Sequence, residues 1–148
     1  MSVRATALHS TELLQASAVT VVVCTRDRPD KLERLLQSLL RQTCQPRVVL
    51  VVDNAPASDA TQQLVQRMPG VRYVREAIPG LDFARNRALR ESDSEVVAYV
   101  DDDAVVAEDW VASITAVFNE SAAIGVCTGK VDALTLATGT IRNVAQIN

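Results

Sequence analysis

From Val19 onward, short runs of β-branched residues alternate with segments of helical period. Residues 19–24 (Val-Thr-Val-Val-Val-Cys) read as a strand buried on both faces, as in the middle of a parallel sheet. Pro29 and Asp30 then open a helix, with proline in the first turn, where its missing N–H costs nothing. Leu32, Leu35, Leu36, Leu39 and Leu40 form one apolar stripe, and Arg34, Gln37 and Arg41 take the other face. Residues 48–52 predict a second buried strand, followed by a turn over 53–57. Ser58 or Asp59 caps a helix running to about Met68, and Pro69-Gly70 stops it. Residues 71–75 alternate and predict an edge or half-buried strand. Pro79-Gly80 breaks the chain, and Asp82 is placed to cap a helix from Phe83 to about Arg90. Residues 96–100 predict a third buried strand, Trp110 to Phe118 an amphipathic helix, and residues 124–131 a final strand. Beyond Lys130 the pattern fades and predicts no further element.

This alternation predicts an α/β fold, a mostly parallel Rossmann-like sheet with helices on both faces. Residues 1–17 read as an N-terminal tail and residues 18–148 as one domain. The 148 residues suit a single domain, and 48% apolar with 22% charged residues excludes wholesale disorder. With only 3% aromatics, the core has to be built from valine, leucine, isoleucine and alanine. A net charge of −3 argues against nucleic acid as a partner. No apolar run is long enough for a transmembrane segment, which leaves room for peripheral membrane association only. Residues 1–17 lack the apolar stretch of a signal peptide. The cysteines, Cys24, Cys44 and Cys127, have no clustered spacing, and Cys24 and Cys127 read as small buried hydrophobes. A reduced, cytoplasmic location follows. His9 is the only histidine, so a Ser-His-Asp triad would need the N-terminus to fold back.

Ligands of open α/β sheets bind at the carboxyl ends of the strands. Three predicted strands deliver Thr25 and Arg26, Asp53, and Asp101-Asp102-Asp103 to such a rim. Adjacent carboxylates repel unless a cation compensates, and hard oxygen donors suit Mg2+ or Mn2+. In strand-like backbone, Asp101 and Asp103 point to one side and Asp102 to the other, so one ion cannot take all three. A solvated acidic loop is the plain alternative, and the position after a buried strand favours the site. Arg85 falls in the first turn of its helix, where exposed N–H groups and a cation together attract phosphate. Arg87 and Arg90 read as solvent-facing.

Four segments carry a family resemblance: 21–30 (VVVCTRDRPD), 51–54 (VVDN), 80–86 (GLDFARN) and 99–103 (YVDDD). In order and spacing they resemble family 2 glycosyltransferases, over roughly residues 18–131. The resemblance implies the nucleotide-sugar-binding N-terminal half of an A-type glycosyltransferase fold. It further implies an inverting, metal-dependent transferase moving a sugar from a nucleotide-diphospho-sugar donor to an unknown acceptor. Thr25 and Arg26 would lie near the nucleoside, and Asp53 would accept hydrogen bonds from the base. Arg85 would sit near the diphosphate, Asp101 and Asp102 near the ribose and sugar, and Asp103 on Mg2+ or Mn2+. Trp110 matches a position that is mainly structural. Arg87-Ala88 departs from the small residue or glycine common there. The inverting base of the family lies well downstream of the acidic triplet, and no acidic residue follows Asp132, which is too close to match it. The expectation is therefore a truncated donor-binding portion whose general base is not found.

Two alternatives keep the same rim. One is a non-catalytic nucleotide-sugar-binding module. The other is a Mg2+-dependent phosphoacceptor domain resembling bacterial receivers, with Lys130 at a late strand end.

Overall fold

The computed structural model describes residues 13–135 and 141–146, with side chains described through residue 132. His9 and residues 1–12 of the expected tail lie outside the described residues. Of the remaining tail, Leu14 exchanges two hydrogen bonds with the carboxamide of Asn119, at 2.7 and 3.1 Å.

Four strands, β1 (Val19–Thr25), β2 (Val48–Asn54), β3 (Val71–Glu76) and β4 (Val96–Asp101), form an all-parallel sheet in the order β3-β2-β1-β4. Four helices follow them: α1 (Pro29–Leu40), α2 (Ala60–Gln66), α3 (Leu81–Glu91) and α4 (Trp110–Glu120). Successive strand residues face opposite sides, so the valines of β1 and β2 divide between two cores. Val19, Val21, Val23, Val49 and Val51 pack with Leu32, Leu35, Leu36 and Leu39 of α1, with α2 and with Trp110, Val111 and Ile114 of α4. Val22, Leu50, Val52 and Val74 pack on the other side against Ala84 and Ala88 of α3. Small residues let α3 lie close to the sheet.

The structure corrects several expectations. The apolar stripe of α1 ends at Leu39, and Leu40 is exposed. Strand β4 is not buried on both faces: only Ala98 and Val100 are buried, because it lies at an edge of this sheet. Asp82 does not cap α3. It sits inside the first turn, and Gly80 takes the cap position at φ 138. Residues 124–129 form no strand, where Gly125 and Gly129 interrupt the apolar run.

The chain beyond Lys130 does carry elements. After the short β5 (Val105–Val106), β6 (Lys130–Thr135) and β7 (Ile141–Gln146) pair antiparallel, and β5 joins β7 in parallel. Their β-branched residues favour strands without an apolar alternation to announce it. Arg87 is not simply solvent-facing: it pairs with Glu91 at 2.8 Å. Cys24, Cys44 and Cys127 are free thiols, Cys44 exposed and the other two half-buried. No helix among the described residues is long and apolar enough to cross a membrane.

Candidate functional site

Strand register assembles the rim. Thr25 lies opposite Asp53 across β1 and β2, and Cys24 opposite Asp101 across β1 and β4. A cavity of about 460 Å3 opens there. Thr25, Arg26 and Arg28 line it from the exit of β1, Asn54 from β2, and the acidic triplet from β4. Gly80, Leu81 and Ala84 of the α3 N-terminus complete the wall.

The three carboxylates divide at a turn: β4 ends at Asp101, and the Ala104 N–H donates to the Asp101 carbonyl at 3.1 Å, so Asp102 and Asp103 are turn residues rather than strand. Asp101 and Asp103 are exposed, whereas Asp102 is buried. Thr25 Oγ1 donates to Asp102 Oδ2 at 2.7 Å, and Arg28 Nη1 donates to Asp102 Oδ1 at 3.2 Å. A carboxylate this buried is stable only when paired and hydrogen-bonded. Lys31 Nζ lies 3.4 Å from Asp103 Oδ2 in a half-exposed pair. Among the described residues, no three acidic, cysteine or histidine side chains converge on a metal position. Asp101 and Asp103 nevertheless offer hard oxygen donors at the cavity. That set fits a Mg2+-like ion, which takes one or two carboxylates and completes its shell from water and phosphate.

Asp53 does not line the cavity and is fully buried. Tyr73 Oη donates to its Oδ2 at 3.1 Å, and Oδ1 has no hydrogen-bond partner. Burial raises the Asp53 pKa above the usual carboxylate value, against the opposing effect of the Tyr73 bond. The Tyr73 hydroxyl is itself pushed up to about 12, by burial first and then by the Asp53 charge. Cys24 is raised to about 11, mainly by burial, with Arg85 pulling the other way.

Arg26 and Arg85 reach the rim differently. Arg26 is exposed on the cavity, 3.9 Å from Asp27. Because α3 begins at Leu81, Arg85 is its fifth residue and lies past the exposed N–H groups of the first turn. It stands on the far side of the triplet, lining a second cavity of about 630 Å3 with Asp101 and Asp103. That cavity lies between β4 and residues 125–129, with Trp110, Ile114 and Phe118 below. Tyr99 Oη donates to the Arg85 carbonyl at 3.0 Å and ties α3 to β4.

Sequence reasoning missed three contributors. Arg28 could have been found as a cation just before the helix-opening proline, facing the acidic triplet. Asn54 stands beside Asp53, and its carboxamide is bonded to the chain at Ile78 and Gly80. Gly80 is required by its backbone: a Cβ there would lie 3.1 Å from the Phe83 ring, at a φ side chains rarely adopt. The loop after the triplet is anchored from α1. Val106 N–H donates to Ser38 Oγ, Gln42 Nε2 donates to the Ala107 carbonyl, and Val111 N–H donates to Gln42 Oε1.

Comparison with known proteins agrees with this geometry. A glucosyl-dolichyl phosphate glucuronosyltransferase of Haloferax volcanii is 31% identical over 101 residues, covering 65% of this chain and 32% of the relative. Protein y4gI of Sinorhizobium fredii is 31% identical over 105 residues, covering 66% of this chain and 12% of that protein. The chain thus spans a third or less of the length of these relatives. Among solved structures, the mannosyltransferase PcManGT of Pyrobaculum calidifontis, in complex with GDP-Man and Mn2+, superposes with a TM-score of 0.60 at 30% identity. That match covers 80% of this chain and 36% of the mannosyltransferase. TarS of S. aureus shares the fold, with a TM-score of 0.62 at 21% identity over 80% of this chain and 21% of TarS. The model of glycosyl transferase family 2 matches residues 20–140. A parallel sheet carrying an acidic triplet at its rim, with a match over most of its length, makes this chain a member of glycosyl transferase family 2.

Proposed function

We propose that this chain is the donor-binding portion of an inverting, metal-dependent glycosyltransferase that takes a nucleotide-diphospho-sugar. The observation that carries the reading is the strand register, which gathers Thr25, Asn54 and the acidic triplet around one cavity in a chain of this family. The solved relatives support the ligand class: PcManGT holds GDP-Man with Mn2+, and TarS residues 1–349 hold UDP-GlcNAc.

In this reading Thr25 and Arg26 flank the nucleoside. Asp53 accepts from the base, and its unpartnered buried oxygen supports that role. Reaching the base requires the adjoining wall to yield, because Asp53 stands behind the cavity. Asp101 and Asp102 face the ribose and sugar. Asp102 reaches a hydroxyl through lone pairs left over from Thr25 and Arg28. Asp103, with Asp101 beside it, would hold Mg2+ or Mn2+. When bound, such an ion supplies charge neutralisation at the leaving diphosphate. Arg85 would add a cation from the second cavity, on the far side of Asp101 and Asp103. The reading assigns no general base and leaves the acceptor unnamed. A cytoplasmic site of action, with room for peripheral membrane association, belongs to the same proposal.

Calorimetric titration of the folded chain with UDP- and GDP-linked sugars, in Mn2+, tests the reading. Saturable binding of at least one donor is expected. Absence of binding by every donor, with the fold intact by circular dichroism, would refute it.

A further inference from the structure

We propose that Asn54 is a positioning residue of the donor cavity: its carboxamide fixes the turn at residues 78–80, and with it the first turn of α3, against the nucleotide. The inference rests on the reading that the cavity takes a nucleotide donor.

Asn54 ends β2 with only 6% of its surface exposed. Its Nδ2 donates to the Ile78 carbonyl at 2.7 Å, and its Oδ1 accepts from the Gly80 N–H at 2.8 Å. One planar amide therefore holds two backbone groups two residues apart, which fixes both the height and the tilt of the turn. Glu76 Oε1 adds a third restraint by accepting from the Ile78 N–H at 2.8 Å. Gly80 then starts α3, whose Leu81 and Ala84 line the cavity.

The core does not need this clamp. Ile78 and Leu81 are about half exposed, and α3 is seated on the sheet by Ala84 and Ala88. What the amide holds in place is an exposed turn at the cavity wall. Aspartate at 54 would keep the acceptor, lose the donor and set a negative charge against the Ile78 carbonyl.

The test uses the full chain, UDP and GDP as probes, and temperatures well below melting. Asn54→Ala should weaken nucleotide binding about tenfold, the worth of two modest hydrogen bonds. Asn54→Asp should bind weakly at pH 8 and recover toward the native affinity as the pH falls, because a protonated carboxyl can again donate to Ile78. Simple loss of structure would not be restored by acid. Native affinity in Asn54→Ala, or an Asn54→Asp pH profile parallel to that of the native chain, overturns the proposal. If the native chain binds neither probe, the donor reading falls, and amide exchange decides the role of Asn54. Exchange at Gly80 about tenfold faster in Asn54→Ala upholds the clamp, and unchanged exchange overturns it.

Discussion

Replacing Gln42 by leucine isolates the anchor that holds the segment after the acidic triplet. Gln42 is 5% exposed and lies just past α1. Its Nε2 meets the Ala107 carbonyl at 2.6 Å, and its Oε1 meets the Val111 N–H at 2.9 Å. Val111 is the second residue of α4, and Asp109 makes no side-chain cap for that helix. Gln42 therefore caps α4 from another element. Leucine preserves the volume and removes both partners. Loss of a cap costs about 0.5–2 kcal/mol, and an orphaned buried carbonyl about 1–3 kcal/mol. The sum is roughly 2–4 kcal/mol, allowing for partial relaxation, which lowers the melting temperature by roughly 6–12 °C in a chain of this size. Urea unfolding followed by circular dichroism measures it, with the slope unchanged if only the native state is affected. A loss below about 0.5 kcal/mol, the level of a neutral surface change, would show that water replaces the amide and refute the cap.

Asp53→Asn should separate stability from binding. The folded pKa of Asp53 is raised, so its stabilising contribution is complete below the ordinary value of 3.8 and is lost as pH rises through the folded value. The variant should therefore melt above the native chain at pH 7–8, converge with it near pH 4, and bind nucleotide less well. Thermal melts across pH check the first part and calorimetry the second. Lys31→Met removes the cation beside Asp103, a half-exposed pair worth at most about 1 kcal/mol. Mn2+ affinity measured by electron paramagnetic resonance should rise about two- to fivefold. Asp103→Ala should abolish the metal dependence of donor binding while leaving the melt nearly unchanged. Gly80→Ala forces a side chain into a glycine conformation and should cost about 1–3 kcal/mol in urea unfolding.

Much of the sheet was legible because β1 and β2 are buried on both faces, so each carries a near-continuous apolar run with valine at four of its seven positions. The leucine stripe of α1 and the alternation of β3 follow from the same burial. The burial of Asp102 between exposed neighbours matches the alternation expected of a strand, but its cause is different: Asp102 and Asp103 lie in the turn after β4, and the Thr25 and Arg28 bonds hold Asp102 inward. Register is a tertiary property, and it decides that Thr25 faces Asp53 and that Thr25 bonds Asp102. The roles of Arg28 and Asn54 depend on that register, and residues that look like ordinary loop positions in the chain became braces in the fold. The edge position of β4 was hidden for the same reason, because its apolar run resembles that of a central strand. Strands β6 and β7 pair with each other, which lets weakly patterned Thr, Ala and Val segments form strands that periodicity does not reveal.

In the proposed function, a nucleotide donor and a divalent ion meet at the carboxyl end of this sheet. Nuclear magnetic resonance of the 15N-labelled chain, titrated with UDP or GDP and then with Mn2+, tests it residue by residue. Nucleotide-induced shifts are expected to centre on Thr25, Arg26, Asp53, Asn54, Gly80, Arg85 and the acidic triplet, followed by paramagnetic broadening centred on Asp103. Shifts absent from these amides, or broadening centred elsewhere in the chain, would contradict it.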